Sequence, residues 1–92
     1  MKNYIVILNL LFSSDGSYKA LISYLKTADY WARPMTNVWF IKTTINAGDL
    51  RDGIKSRLNF SDKVIVIEVS GKNWGTSNIE KNVTDWMKLN LQ

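Results

Sequence analysis

The sequence predicts an α+β domain, and three observations predict it. Three short runs, Ile5 to Leu11, Val38 to Thr44 and Val64 to Val69, are apolar and β-branched with no helical spacing. Segments between and after them repeat their apolar residues every three or four positions, as amphipathic helices do. The segments follow one another closely, without a linker, a repeat or a low-complexity run, so residues 1–92 read as one domain.

Each element has its own justification. Ile5 to Leu11 (IVILNLL) is apolar on both faces, the pattern of a central strand. Ser13, Ser14, Asp15 and Gly16 supply turn chemistry and several helix N-caps. Tyr18, Leu21, Ile22, Leu25 and Ala28 then recur at helical spacing, with Lys19, Ser23 and Lys26 on the other side. Pro34 removes a ladder donor from Tyr30 to Met35, which makes that segment a short edge strand. Thr36-Asn37 turns the chain into Val38 to Thr44 (VWFIKTT), the second strong strand. Asn46 caps a helix with Asp49 in its first turn and Leu50, Ile54 and Leu58 on its inner face. Ser61-Asp62 turns into Val64 to Val69 (VIVIEV). Gly71 to Asn78 is a loop. Ile79 to Leu91 is a last helix whose inner face takes Ile79, Val83, Trp86 or Met87, and Leu91.

The order is β-α-β-β-α-β with an additional C-terminal helix, which is that of the ferredoxin-like fold. Right-handed crossovers place the two main helices on one face of a sheet with strand order 4-1-3-2. A physical problem follows. The strong strands are apolar on both faces, and a bare second face of that size invites aggregation. The C-terminal helix is too short to cover four strands alone. The expectation is therefore a homodimer packed through the open face, with that helix at its margin.

Composition excludes several chemistries. The chain has no Cys and no His, which removes disulfides, thiolate or imidazole metal sites, and Ser–His or Cys–His catalysis. A metal would need oxygen ligands. No motif asks for a cofactor, and the glycine loop lacks the GxxxxGK[ST] order of a nucleotide site. The net charge of +4 suits either solubility or a polyanionic partner. Tyr4 to Phe12 is too short for a membrane span and lacks a signal-peptide cleavage pattern, so the expected location is the cytoplasm.

Several segments taken together resemble a known family. The start MKNYIV, the segment WARPMTNVWFIKT, the helix opening LRD, and DKVIVIEVSG with a Trp-containing loop are similar to SinR-family proteins. These are small relatives of the CRISPR-associated adaptation endonuclease (its smaller, Cas-two subunit) and, more distantly, of virulence-associated protein D. The resemblance spans nearly the whole chain and implies a ferredoxin-like homodimer. In the endonuclease relatives the first strand ends in an aspartate that is thought to hold a divalent metal with its dimer mate. The matching residue here is Asn9, and no Asp or Glu occurs from Met1 to Ser14. A neutral amide binds Mg²⁺ far less well than a carboxylate, so the resemblance implies a crippled nuclease.

Candidate residues each carry two readings. Asn9 is either an altered ligand position or a satisfied strand-end amide. Lys42, Arg51, Lys55 and Arg57 form either a phosphate-contacting patch or a solvated face partly neutralised by Asp49 and Asp52. Trp74, in the loop with Lys72, either stacks on a base or partner, or folds back as a lid. Trp39 and Trp86 have core spacing. Glu68 is a lone strand carboxylate, most simply paired with a lysine. The leading functional expectation is a dimeric binding or regulatory module for a protein or nucleic acid, in a defence or mobile-element context that the resemblance alone supplies. The alternative is an endoribonuclease, degenerate or metal-independent, using Tyr4, Tyr18 or Lys42.

Overall fold

In the computed structural model, which describes residues 1–70 and 73–91, one four-stranded antiparallel sheet carries three α-helices. The strands are β1 (Lys2–Asn9), β2 (Tyr30–Met35), β3 (Val38–Thr43) and β4 (Lys63–Glu68). Helix α1 is Lys19–Leu25, entered through a 3₁₀ turn at Asp15–Tyr18; α2 is Ala47–Lys55 and α3 is Lys81–Asn90. Neighbours in the sheet run β2-β3-β1-β4, which from the β4 edge is 4-1-3-2. In β1, Ile5 lies between Phe40 and Ile67, and Ile7 between Val38 and Ile65.

The strand ends differ from the sequence expectation for a pairing reason. β1 begins earlier, because Lys2 and Asn3 still face Thr43 and Lys42. It ends at Asn9, opposite Lys63, where β4 starts. Beyond it the Leu11 N–H turns to the Asp62 carboxylate, 2.6 Å away, in place of a strand. The first helix is shorter than its apolar periodicity, since Ser14 Oγ caps the Gly16 N–H and the first turn is 3₁₀. Asn46 caps α2 as expected, its Oδ1 accepting the Asp49 N–H at 2.8 Å.

Alternation divides the sheet into two faces. Tyr4, Val6, Leu8, Trp39 and Ile41 point toward α1 and α2 and join Tyr18, Leu21, Leu25, Leu50 and Ile54 in the main core. The other face meets α3. There Ala32 and Phe40 pack with Val83, Met87 and Leu91, and Ile5, Val69, Trp74, Ile79 and Trp86 close around them. Trp86 stacks on Phe40 at 5.9 Å. A polar clasp fixes the end of α3: Asn3 Nδ2 donates to the Asn90 carbonyl at 2.9 Å, and Lys42 Nζ donates to Asn90 Oδ1 at 3.4 Å.

Close approach explains one mid-helix glycine. A Cβ on Gly53 would overlap the hydroxyl end of the Tyr24 ring, which packs against α2 there. The Arg57 guanidinium covers Tyr24, 4.2 Å from the ring centroid.

Candidate functional site

The residues singled out from sequence do not form one patch. Arg51, Lys55 and Arg57 belong to α2 and the turn after it, whereas Lys42 points to the opposite face, where Asn90 and the Tyr30 ring (5.8 Å) receive it. Arg51 is paired with Asp52 at 2.8 Å, both side chains more than half exposed. Such a pair adds little stability but neutralises local charge. Arg57 is exposed but folds back on its own helix end: Nη1 donates to the Gly53 carbonyl at 2.7 Å and to Ser56 Oγ at 3.0 Å. Lys55 stays exposed. Trp74 is half-buried against the second cluster, so it folds back under α3. Gly71 and Lys72 of the same loop lie outside the described residues.

The tyrosines and lysine of the ribonuclease alternative are also kept apart. Tyr4 is fully buried, and its hydroxyl donates to the Ile45 carbonyl at 2.8 Å. Tyr18 is buried at the other end of the main core, and Lys42 lies on the far face. None of the three is within reach of another, so no acid–base pair is assembled. Among the described residues no three carboxylates gather as a metal site. Asn9 is exposed at the end of β1, and its cross-strand neighbour is Lys63, a cation.

One polar cluster escaped sequence reading. Asp62 ties three segments together. Its Oδ1 accepts from the Leu11 N–H and from the Tyr18 hydroxyl at 3.0 Å, and its Oδ2 accepts the Asn59 N–H at 2.7 Å. Desolvation pushes this carboxyl up, but the backbone donors of Leu11 and Asn59, with Tyr18 and the Asn59 side chain, outweigh it and hold it below the usual carboxylate range. Asp15 is also lowered, chiefly by its two hydrogen bonds from Arg33, each 3.0 Å. Sequence offered only turn signals at these places; the partners are 44 and 18 residues away.

What stands out instead is a surface. Helix α3 covers the β2–β3 side of its face and stops short of β4. Ile7, Ile65 and Ile67 remain 40%, 55% and 47% exposed. They are lateral neighbours, with Ile7 facing Ile65 directly across the ladder. Leu11, Phe12 and Phe60 are also exposed, around the Asp62 cluster at the same end of the sheet. The three isoleucines make an apolar band bordered by Asn9 and Lys63, of the kind that marks an interaction site. Among the described residues no helix is long and apolar enough to cross a membrane.

No family model matches the chain, and no curated protein matches it.

Proposed function

We propose that this chain is a ferredoxin-like domain that works in the cytoplasm as a homodimeric, non-catalytic binding module. One observation carries the reading: the isoleucine band on the β1–β4 half of the sheet, left open by α3. Fully burying a side chain such as Ile is worth about 1.5–3 kcal/mol, and these three, already about half covered, leave roughly half of that for a second copy to gain. The kinship with SinR-family and Cas-two-like proteins stays part of this proposal, and so does the defence or mobile-element context.

The non-catalytic half of the reading is supported by Asn9 beside Lys63, where the relatives are expected to hold a metal with carboxylates. A cross-strand cation raises the electrostatic cost of placing Mg²⁺ there. The apolar band favours a protein as the further partner. Nucleic acid would instead engage the Arg51 and Lys55 side of α2, and the test separates the two.

The protein is incubated with labelled RNA and DNA in Mg²⁺ or Mn²⁺, and gel shifts are run over a salt series. The expected result is no cleavage above the buffer control and at most weak, strongly salt-dependent retardation. Cleavage that disappears on a point substitution of Tyr18 or Lys42 overturns the non-catalytic reading. Tight retardation lost in Arg51→Ala with Lys55→Ala would make nucleic acid the partner.

A further inference from the structure

The two edges of the sheet are built differently. On the β2 edge, Pro34 lacks an N–H and the pairing with β3 shifts between Ala32 and Met35. Trp31 on that strand is wedged between Trp39, at 5.4 Å, and the Lys26 ammonium, at 5.3 Å. Proline and an irregular register are devices that stop further strands from adding. The β4 edge has neither. Its six residues, Lys63-Val64-Ile65-Val66-Ile67-Glu68, pair with β1 in unbroken register.

Backbone parity shows which groups face away from β1. The Val69 N–H donates to the Asn3 carbonyl at 2.9 Å. In an antiparallel ladder bonded pairs alternate, so Ile67, Ile65 and Lys63 also bond inward to β1. The N–H and C=O groups of Val64, Val66 and Glu68 therefore point outward from the sheet. A regular strand with open groups and exposed apolar side chains is a template for another strand.

We propose that β4 pairs with β4 of a second copy, antiparallel, about a twofold axis perpendicular to the sheet at Val66, joining two sheets into one of eight strands. The proposal rests on the homodimer reading but moves its seam from the isoleucine face to the strand edge: Ile65 and Ile67 gain lateral neighbours across it, while Ile7, on β1, lies outside the seam. The strand is self-complementary in this register. Such an axis keeps each face with its own kind, so residues of equal parity oppose each other. Val66 then meets Val66 of the partner subunit, and Val64 and Glu68 meet their counterparts in reverse order. All three outward residues form bonded pairs, each exchanging two hydrogen bonds. Ile65 and Ile67 become close, non-bonded cross-strand pairs and gain the lateral neighbour that an edge position denies them. Lys63 and Glu68 each face a valine. Centring the axis on Ile65 would set Asp62 against Glu68, two negative charges, and engages fewer of the outward groups.

The natural absence of cysteine makes a clean test available. Ile65→Cys and Ile67→Cys proteins are prepared separately, then oxidised mildly alone and as a mixture. The expected result is several-fold more covalent dimer in the mixture than in either alone, because each position opposes the other and not itself. Val66→Pro is the companion variant. Its lost N–H is an outward one, so the β1 ladder survives; the near-UV tryptophan spectrum should persist while the dimer disappears on sedimentation. A dimer that shows no mixture-specific disulfide, or one that survives in folded Val66→Pro protein, overturns the edge geometry and leaves the homodimer standing. A monomer at every concentration overturns both.

Discussion

The two faces of this sheet are made of the same residue types and end in different states. Under α1 and α2, Tyr4, Val6, Trp39 and Ile41 are each about fully buried, and their helices present Leu21, Leu25 and Ile54 to meet them. On the other face α3 seals Ala32 and Phe40 but leaves Ile7, Ile65 and Ile67 in solvent. The difference is geometric. Two helices span the width of four strands, whereas one short helix, anchored to β2 and to Asn3 and Lys42, reaches only half of it. An apolar strand face thus specifies that something must cover it. Whether that is a helix or another molecule depends on how many helices are available.

The main core should respond most strongly to truncation. Ile54→Ala should cost about 2–5 kcal/mol, because Ile54 is fully buried in a close-packed cluster. For a domain this small that is a large part of the total stability, and urea denaturation followed by tryptophan fluorescence measures it. If Ile54→Ala costs less than Met87→Ala, the ranking of the two faces is wrong. Met87→Ala, under α3, should cost about 2 kcal/mol, at the low end of the same range, since its cluster is smaller and has solvent beside it.

Asp62→Asn comes next, at about 1–2 kcal/mol near neutral pH, because a charge-assisted set of hydrogen bonds becomes neutral and one oxygen acceptor becomes a donor. The pH dependence has a definite sign. The folded carboxyl titrates below its unfolded value of about 3.9, so its contribution is present above that pH and is lost as pH falls through the folded value. Asp62→Asn should therefore flatten the acid limb of the stability curve below about pH 4 as well as lower its plateau. An unchanged acid limb would show that Asp62 carries no such linkage.

The smallest effect on the monomer is expected in the band itself. Ile65→Thr should change unfolding stability by less than about 0.5 kcal/mol, as exposed substitutions do. It should nonetheless weaken self-association about tenfold or more, read from the concentration dependence of sedimentation. A larger loss of monomer stability would mean that Ile65 is already packed within one chain.

Much of the fold could be read from residue spacing. The central strands announced themselves through β-branched runs such as VIVIEV, and the helices through repeats such as Leu50 and Ile54, because burial fixes those periods. The cap at Asn46 was also legible, since capping is local. Element ends were not, because β1 stops where its neighbours stop and the Leu11 N–H is taken by a carboxylate from a distant turn. The Lys42, Arg51, Lys55 and Arg57 grouping failed for a related reason: proximity in sequence pattern says nothing about which side of the sheet a strand lysine occupies. Both apolar faces were visible in the strands. The half left bare was not, because it depends on where α3 ends and on which strand it anchors to.

Analytical ultracentrifugation of the unmodified protein tests most directly whether the open isoleucine band drives self-association. A single dimeric species at micromolar concentration, shifted toward monomer by Ile65→Lys without loss of fold, is the predicted result. A well-behaved monomer throughout the accessible concentration range would contradict it.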